Sequence, residues 1–133
     1  VLTTLLGSCV SVCLYDEVAR VGGVNHFLLP SGALDEASSP RFAVGAVDSL
    51  VARMLQLGCS RARLSAKVFG GSCVLRAYRE APGEAHLGQR NVEAARVALA
   101  RHEIGVVAED VGGYHGRKLV YCTDDGAAFV KEL

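Results

Sequence analysis

Apolar and polar positions alternate from Cys9 to Tyr15, with Val10, Val12 and Leu14 on one side of a predicted strand and Cys9, Ser11 and Cys13 on the other. The side bearing Val10, Val12 and Leu14 reads as core, which leaves Cys9 on a polar face. Asp16 to Arg20 makes a polar turn, and Val21 to Leu29 returns as a second strand stopped by Pro30. The two segments pair as a hairpin that can bring Cys9 beside His26. Gly22 and Gly23 mark a bulge or a close backbone approach, either of which would re-aim Asn25 and His26.

Beyond a loop over Ser31 to Ser39, the Ser39-Pro40 pair predicts a helix start, and Ala43, Val47, Leu50, Met54 and Leu57 form one buried stripe that Gly58 ends. Arg63 to Phe69 reads as a strand leading into Gly70-Gly71. A second helix is predicted from about Arg90 to His102, with Val92, Ala95 and Leu99 inward. Ile104–Ala108, Lys118–Cys122 and Ala127–Lys131 read as strands, the last two joined as a hairpin through Asp124-Asp125-Gly126. Hairpins with two helices define an α+β fold in which sheet is covered by helix on one side.

The 133 residues suit a single domain. Lys plus Arg equals Asp plus Glu at fourteen each, so no global field draws nucleic acid or an acidic membrane, and a protein or small-molecule partner is expected. There is no run near the ~20 apolar residues of a membrane span and no secretory leader, so the chain reads as soluble and cytoplasmic, without membrane insertion. It opens inside an apolar segment at Val1, and native residues upstream are expected to be missing. Five irregularly spaced cysteines, Cys9, Cys13, Cys59, Cys73 and Cys122, fit reduced thiols rather than a disulfide framework. Neither a zinc pattern nor a phosphate-binding glycine motif is present, so no metal or cofactor is expected.

A free thiol has a pKa of about 8.5 and is a weak nucleophile at neutral pH, whereas an adjacent imidazole that accepts its proton yields a reactive thiolate. Cys9 and His26 are therefore candidates for a cysteine hydrolase or acyl-transfer site. An oxyanion formed there needs donors: the Cys9 amide in Gly7-Ser8-Cys9 comes first, with the side chains of Ser8 and Asn25 as alternatives that could equally satisfy local backbone groups. Gly70-Gly71 and Gly112-Gly113 either shape a narrow slot for a substrate side chain or are plain turn glycines. Cys13 shares the strand face of Cys9, two pleats away. His86 and His102 fall near helix ends, and His115 lies in a glycine-rich loop.

The strings LGSCVSVCLYD and GGVNHFLLP, followed in order by AKVFGG (Ala66–Gly71), LGQRNVEA (Leu87–Ala94) and EDVGGYHGRK (Glu109–Lys118), resemble the chemoreceptor glutamine deamidases of bacterial and archaeal chemotaxis, the CheD family. The resemblance implies a β-sandwich-like core with flanking helices, similar to the catalytic domain of the cytotoxic necrotizing factor toxins. It also implies Cys9 as nucleophile, His26 as base and Thr3 as the residue orienting the base. Thr4 is the neighbouring competitor, and the family's six-residue offset before the nucleophile selects Thr3. The implied substrates are methyl-accepting chemotaxis receptors, whose selected glutamines become glutamates. The alternative it implies is an adaptor that binds a CheC-type phosphatase and regulates dephosphorylation of CheY. A thiol protease or transglutaminase-like enzyme would use the same nucleophile but has no local signature here. Cys73, after Gly70-Gly71-Ser72, departs from the family's mostly nonpolar segment.

Overall fold

A computed structural model describes residues 1–28, 42–74 and 87–133. In chain order the elements are β1 (Leu2–Leu6), β2 (Val10–Asp16), β3 (Val21–Val24), α1 (Ala43–Gln56), a 3-10 turn (Arg61–Arg63), β4 (Leu64–Gly70), α2 (Leu87–Arg101), β5 (Gly105–Val111), β6 (Arg117–Tyr121) and β7 (Ala128–Glu132). One sheet has the order β3-β2-β4-β5, antiparallel except for the β4–β5 pair, and the other is the antiparallel β1-β6-β7. The parallel pair follows from the crossover through α2, since neighbouring parallel strands need a long connection.

Alternation along β2 has a consequence on each face. Val10, Val12 and Leu14 meet Val47, Val51 and Met54 of α1 and Val92, Ala95 and Leu99 of α2 in the larger core. Cys13 points the other way, into a second core with Phe69, Leu6, Leu119 and Tyr121 between the two sheets. The polar face expected for Cys9, Ser11 and Cys13 is thus corrected: Ser11 and Cys13 are 0% and 1% exposed. The β1-β6-β7 sheet covers them, giving the layers helix, sheet, sheet. This is the α+β fold the pattern predicts, with the β-sandwich-like core and flanking helices that the family resemblance implies.

Several boundaries differ, and the second strand expected over Val21–Leu29 is β3 over Val21–Val24 alone, with Phe27 only bridging to Val10. The single apolar segment before Asp16 is two strands in different sheets, broken at Gly7-Ser8-Cys9. The predicted cap at Ser39-Pro40 lies outside the described residues, and α1 begins at Ala43 behind an extended Phe42. Leu57, expected in the buried stripe, is 49% exposed because it is the C-cap, beyond the last helical turn. Gly58 ends the helix at φ +94°, a left-handed conformation that glycine adopts freely.

Gly22 and Gly23 serve close approach rather than a bulge, since the β2–β3 register is unbroken from Cys13–Val24 to Asp16–Val21. A Cβ on Gly22 would lie 2.8 Å from the Thr123 carbonyl oxygen, and one on Gly23 would lie 2.9 Å from Met54 Sδ. At the hairpin turn the Asp16 carboxylate is fully covered. It accepts the amides of Val18, Ala19 and Ser60 at 2.9–3.0 Å and Arg63 Nε at 3.0 Å. The Arg63 bond, aided by those amides, holds this carboxyl well below the usual range.

Candidate active site

Cys9 closes the short connection between β1 and β2, and glycines clamp that connection from behind. Gly71 donates its amide to the Cys9 carbonyl at 2.8 Å, and Ser72 donates to the Gly7 carbonyl at 2.9 Å. Gly70 has φ +107°, and a Cβ there would collide with the Cys9 carbonyl oxygen. Gly112 in turn donates to the Gly70 carbonyl at 2.9 Å. Gly70, Gly71 and Gly112 therefore buttress the backbone of the candidate nucleophile. Gly71 also borders an open cleft with Val92, Glu93 and Val111.

The pairing of Cys13 with Val24 continues in the same register to a bridge between Val10 and Phe27. Opposed residues share a face, so Ser11 lies across from His26, and Cys9 occupies the diagonal position on the same face, about 7–8 Å away between Cα atoms in a regular ladder. Here the ladder is not regular. Asn25 donates its amide to the Val12 carbonyl at 3.0 Å, but the Val12 amide donates to Asn25 Oδ1 at 2.8 Å instead of to a main-chain carbonyl. Asn25 Nδ2 is buried without a partner among the described residues. Asn25, expected in the substrate site as an alternative oxyanion donor, thus spends its oxygen on the strand and keeps its Nδ2 beside His26. Ser8, also assigned there, is half-buried.

His26 is exposed, and its Nδ1 lies 2.9 Å from Thr4 Oγ1. The hydroxyl bonded to this ring is that of Thr4 and not of its neighbour Thr3. The reason is strand alternation: Thr4 pairs with Leu119, which faces the core between the sheets, whereas Thr3 pairs with Val120 and, across β6, with exposed Phe129. Thr3 borders the cleft next to His26, a space of about 270 Å³ walled also by Leu2, Val24 and Leu119, without making this bond.

Burial sets the protonation of the pair. Desolvation pushes the Cys9 thiol up, partly opposed by its own backbone amide, and desolvation pushes His26 down. Both shifts favour thiol and neutral imidazole in the resting site. Cys13 is displaced much further, to about 12, because burial outweighs the Lys67 charge, so it is a poor competitor as nucleophile.

Three polar residues that the sequence reading left without a role support this region. Asn91 of α2 is wholly buried and donates through Nδ2 to the Ser8 carbonyl at 2.8 Å and the Leu28 carbonyl at 3.1 Å. Ser72 Oγ lies 2.6 Å from the His115 carbonyl and accepts Arg117 NH1 at 2.6 Å, while Arg117 Nε donates to Asp110 at 3.0 Å. His102 pairs with Asp48 at 2.6 Å, joining the helices, and His115 lies 3.6 Å from Glu132. His86 falls outside the described residues. Among the described residues no three His, Cys, Asp or Glu side chains cluster as metal ligands, and no helix is long and apolar enough to cross a membrane.

A cysteine and a histidine at the end of a hairpin in a layered α+β domain are the groups that a thiol-based acyl-transfer site would need. Residues 28–132 match the family model described as CheD chemotactic sensory transduction. The chain is 50% identical over 132 residues to the probable chemoreceptor glutamine deamidase CheD 1 of Anaeromyxobacter dehalogenans, covering 99% of this chain and 75% of the relative. Probable chemoreceptor glutamine deamidases CheD of Stenotrophomonas maltophilia (strain K279a) and Xanthomonas campestris pv. campestris (strain B100) are each 42% identical, over 99% of this chain and 65% of their own length. This chain belongs to the CheD family.

Proposed function

We propose that the chain is a protein-glutamine deamidase acting on chemoreceptors, with Cys9 as nucleophile and His26 as base. The observation that supports the reading is the β2–β3 register, which, continued through the Val10–Phe27 bridge, turns Cys9 and His26 to the same side, with His26 Nδ1 2.9 Å from Thr4 Oγ1. The names of the relatives supply the substrate class. For His26 to act as base, Nδ1 must carry the proton and donate to Thr4 Oγ1, which leaves the Nε2 lone pair for the thiol proton.

As Sγ bonds to the glutamine Cδ, the thiol proton passes to Nε2 and the carbonyl electrons move onto oxygen. Collapse of this intermediate breaks the C–N bond, and Nε2 returns the proton to the departing ammonia, leaving a thioester on Cys9. Water then loses a proton to Nε2 while its oxygen attacks the thioester carbon. Expulsion of the sulfur, which takes the proton back, gives glutamate. Thr4 orients without a full charge, so the imidazolium gains less support than a carboxylate would give.

Incubation with purified receptor, with ammonia release and Gln-to-Glu conversion followed by mass spectrometry, tests the reading. Cys9→Ala should abolish both with the circular dichroism spectrum retained. Cys13→Ala should stay active with a stability loss of about 1–2 kcal/mol from the emptied space between the sheets. The reverse pattern would reassign the nucleophile. Binding of a CheC-type phosphatase is the adaptor reading. It is separated by adding the phosphatase to the same assay, where competition with receptor means that both use the Cys9 face.

A further inference from the structure

Asn91 ties together the two segments that carry the candidate pair, since Ser8 immediately precedes Cys9 and Leu28 follows His26 by two residues. Among the described residues no peptide bond is cis, so in the planar Ser8–Cys9 unit the carbonyl and the Cys9 N–H point in opposite directions. With the Ser8 carbonyl held toward α2, the Cys9 N–H is turned away from the helix. Among the described residues it meets no main-chain acceptor, whereas the next amide, Val10, is taken by the Phe27 carbonyl at 3.1 Å. The Cys9 amide also acts on its own sulfur, where it opposes the effect of burial.

The clamp is firm on both sides of Cys9. Its own carbonyl is held by the Gly71 amide, and the first turn of α2 rests on the same loop: a Cβ on Gly88 would lie 2.6 Å from the Ser72 carbonyl oxygen. Asn91 Oδ1, by contrast, is buried without a partner among the described residues. An unpaired buried acceptor is unfavourable, and an aliphatic side chain would fill this inner position of α2 without it. The donors to Ser8 and Leu28 are what the site gains from asparagine.

We propose that Asn91 is a positioning residue that aims the Cys9 amide as an oxyanion donor and fixes the Cys9 segment against the His26 segment. The chemical part of this inference rests on the deamidase reading, and the structural part does not. Loss of an oxyanion donor outright costs about 10²–10³ in kcat, so misaiming one should cost at least about tenfold. The variants are Asn91→Ala and the milder Asn91→Ser, with Val47→Ala as a control in the core under α1. Receptor deamidation and the Cys9 ¹H–¹⁵N cross-peak are followed in each.

Both Asn91 variants should lose kcat by at least about tenfold with KM within about threefold, and should shift or broaden the Cys9 cross-peak. Val47→Ala should lower thermal stability without either change. A Cys9 cross-peak unmoved in both Asn91 variants would overturn the proposal, as would a kcat loss that Val47→Ala reproduces. Wild-type protein inert toward receptor would sink the deamidase reading alone, and the cross-peak would still decide whether the clamp exists.

Discussion

Asn25 Oδ1 accepts the amide of Val12 at 2.8 Å, taking a place that a main-chain carbonyl holds in an unbroken ladder. The residue beside the candidate base therefore interrupts pairing at the point where His26 leaves the sheet edge. Replacing Asn25 with Ala leaves the buried Val12 amide without this acceptor, at a cost of about 1–3 kcal/mol. The expected outcome is a lowered urea midpoint together with a fall in deamidation at temperatures where the variant is fully folded. Activity equal to wild type in the folded variant would show that the interruption does not aim His26.

Thr4→Ala should reduce kcat/KM by about tenfold, equivalent to about 1.4 kcal/mol of transition-state stabilisation, because the imidazole loses its tether. Thr3→Ala should stay within about twofold, since Thr3 borders the cleft without bonding His26. Steady-state kinetics of the two variants on one receptor decide between them. A larger effect at Thr3 would restore the assignment drawn from the family's spacing.

Alkylation of Cys9 by iodoacetamide should accelerate with rising pH and reach its midpoint above that of a free cysteine, because burial raises the thiol. Cys13 should stay unmodified over the same range, being buried with a pKa of about 12. Peptide mapping after timed alkylation reads both sites in one sample. A Cys9 midpoint below that of a free cysteine would mean that a thiolate–imidazolium pair is preformed.

Asp16 gives the stability a defined acid limb. Its folded pKa is depressed, chiefly by Arg63, so below the unfolded value of about 3.9 the unfolded chain binds the proton that the folded one refuses. The contribution is complete above that pH and is lost as pH falls toward the folded value. Thermal midpoints of wild type and Asp16→Asn should differ most at pH 5–7 and converge below about pH 3. A constant gap down to the lowest pH would exclude Asp16 as the source.

Gly70→Ala should be destabilised by at least about 2 kcal/mol and inactive, since alanine is strained at φ +107° and its Cβ meets the Cys9 carbonyl. Gly113→Ala is the comparison: it also has positive φ, but its Cβ would find only the tip of Arg117, at 4.0 Å. Chemical denaturation and deamidation rates on both variants separate backbone strain from collision with the nucleophile's loop.

Much of this was legible because local pattern suffices for it. The alternation in Val10–Asp16 and the stripe from Ala43 to Met54 define strand and helix without knowledge of the remainder of the chain. The second face of β2 was not legible, because the residues covering Ser11 and Cys13 come from the sheet built by residues 2–6 and 117–132. Thr3 and Thr4 differ only in which face of β1 they occupy, which depends on register with β6. Asn91 did carry a signal: with Gly88, Val92, Ala95 and Leu99 it keeps the helix spacing of the inner face, and a polar residue there announces a buried hydrogen bond.

The hydrogen bond between His26 and Thr4 joins the hairpin of one sheet to a strand of the other, and β1 is an edge strand that, among the described residues, pairs only with β6. The chemistry is therefore mechanically strung across the seam of the sandwich. Tension that peels β1 from β6 would slacken the histidine's tether while the helices and the four-stranded sheet stay packed, so catalytic competence can lapse well before the molecule melts.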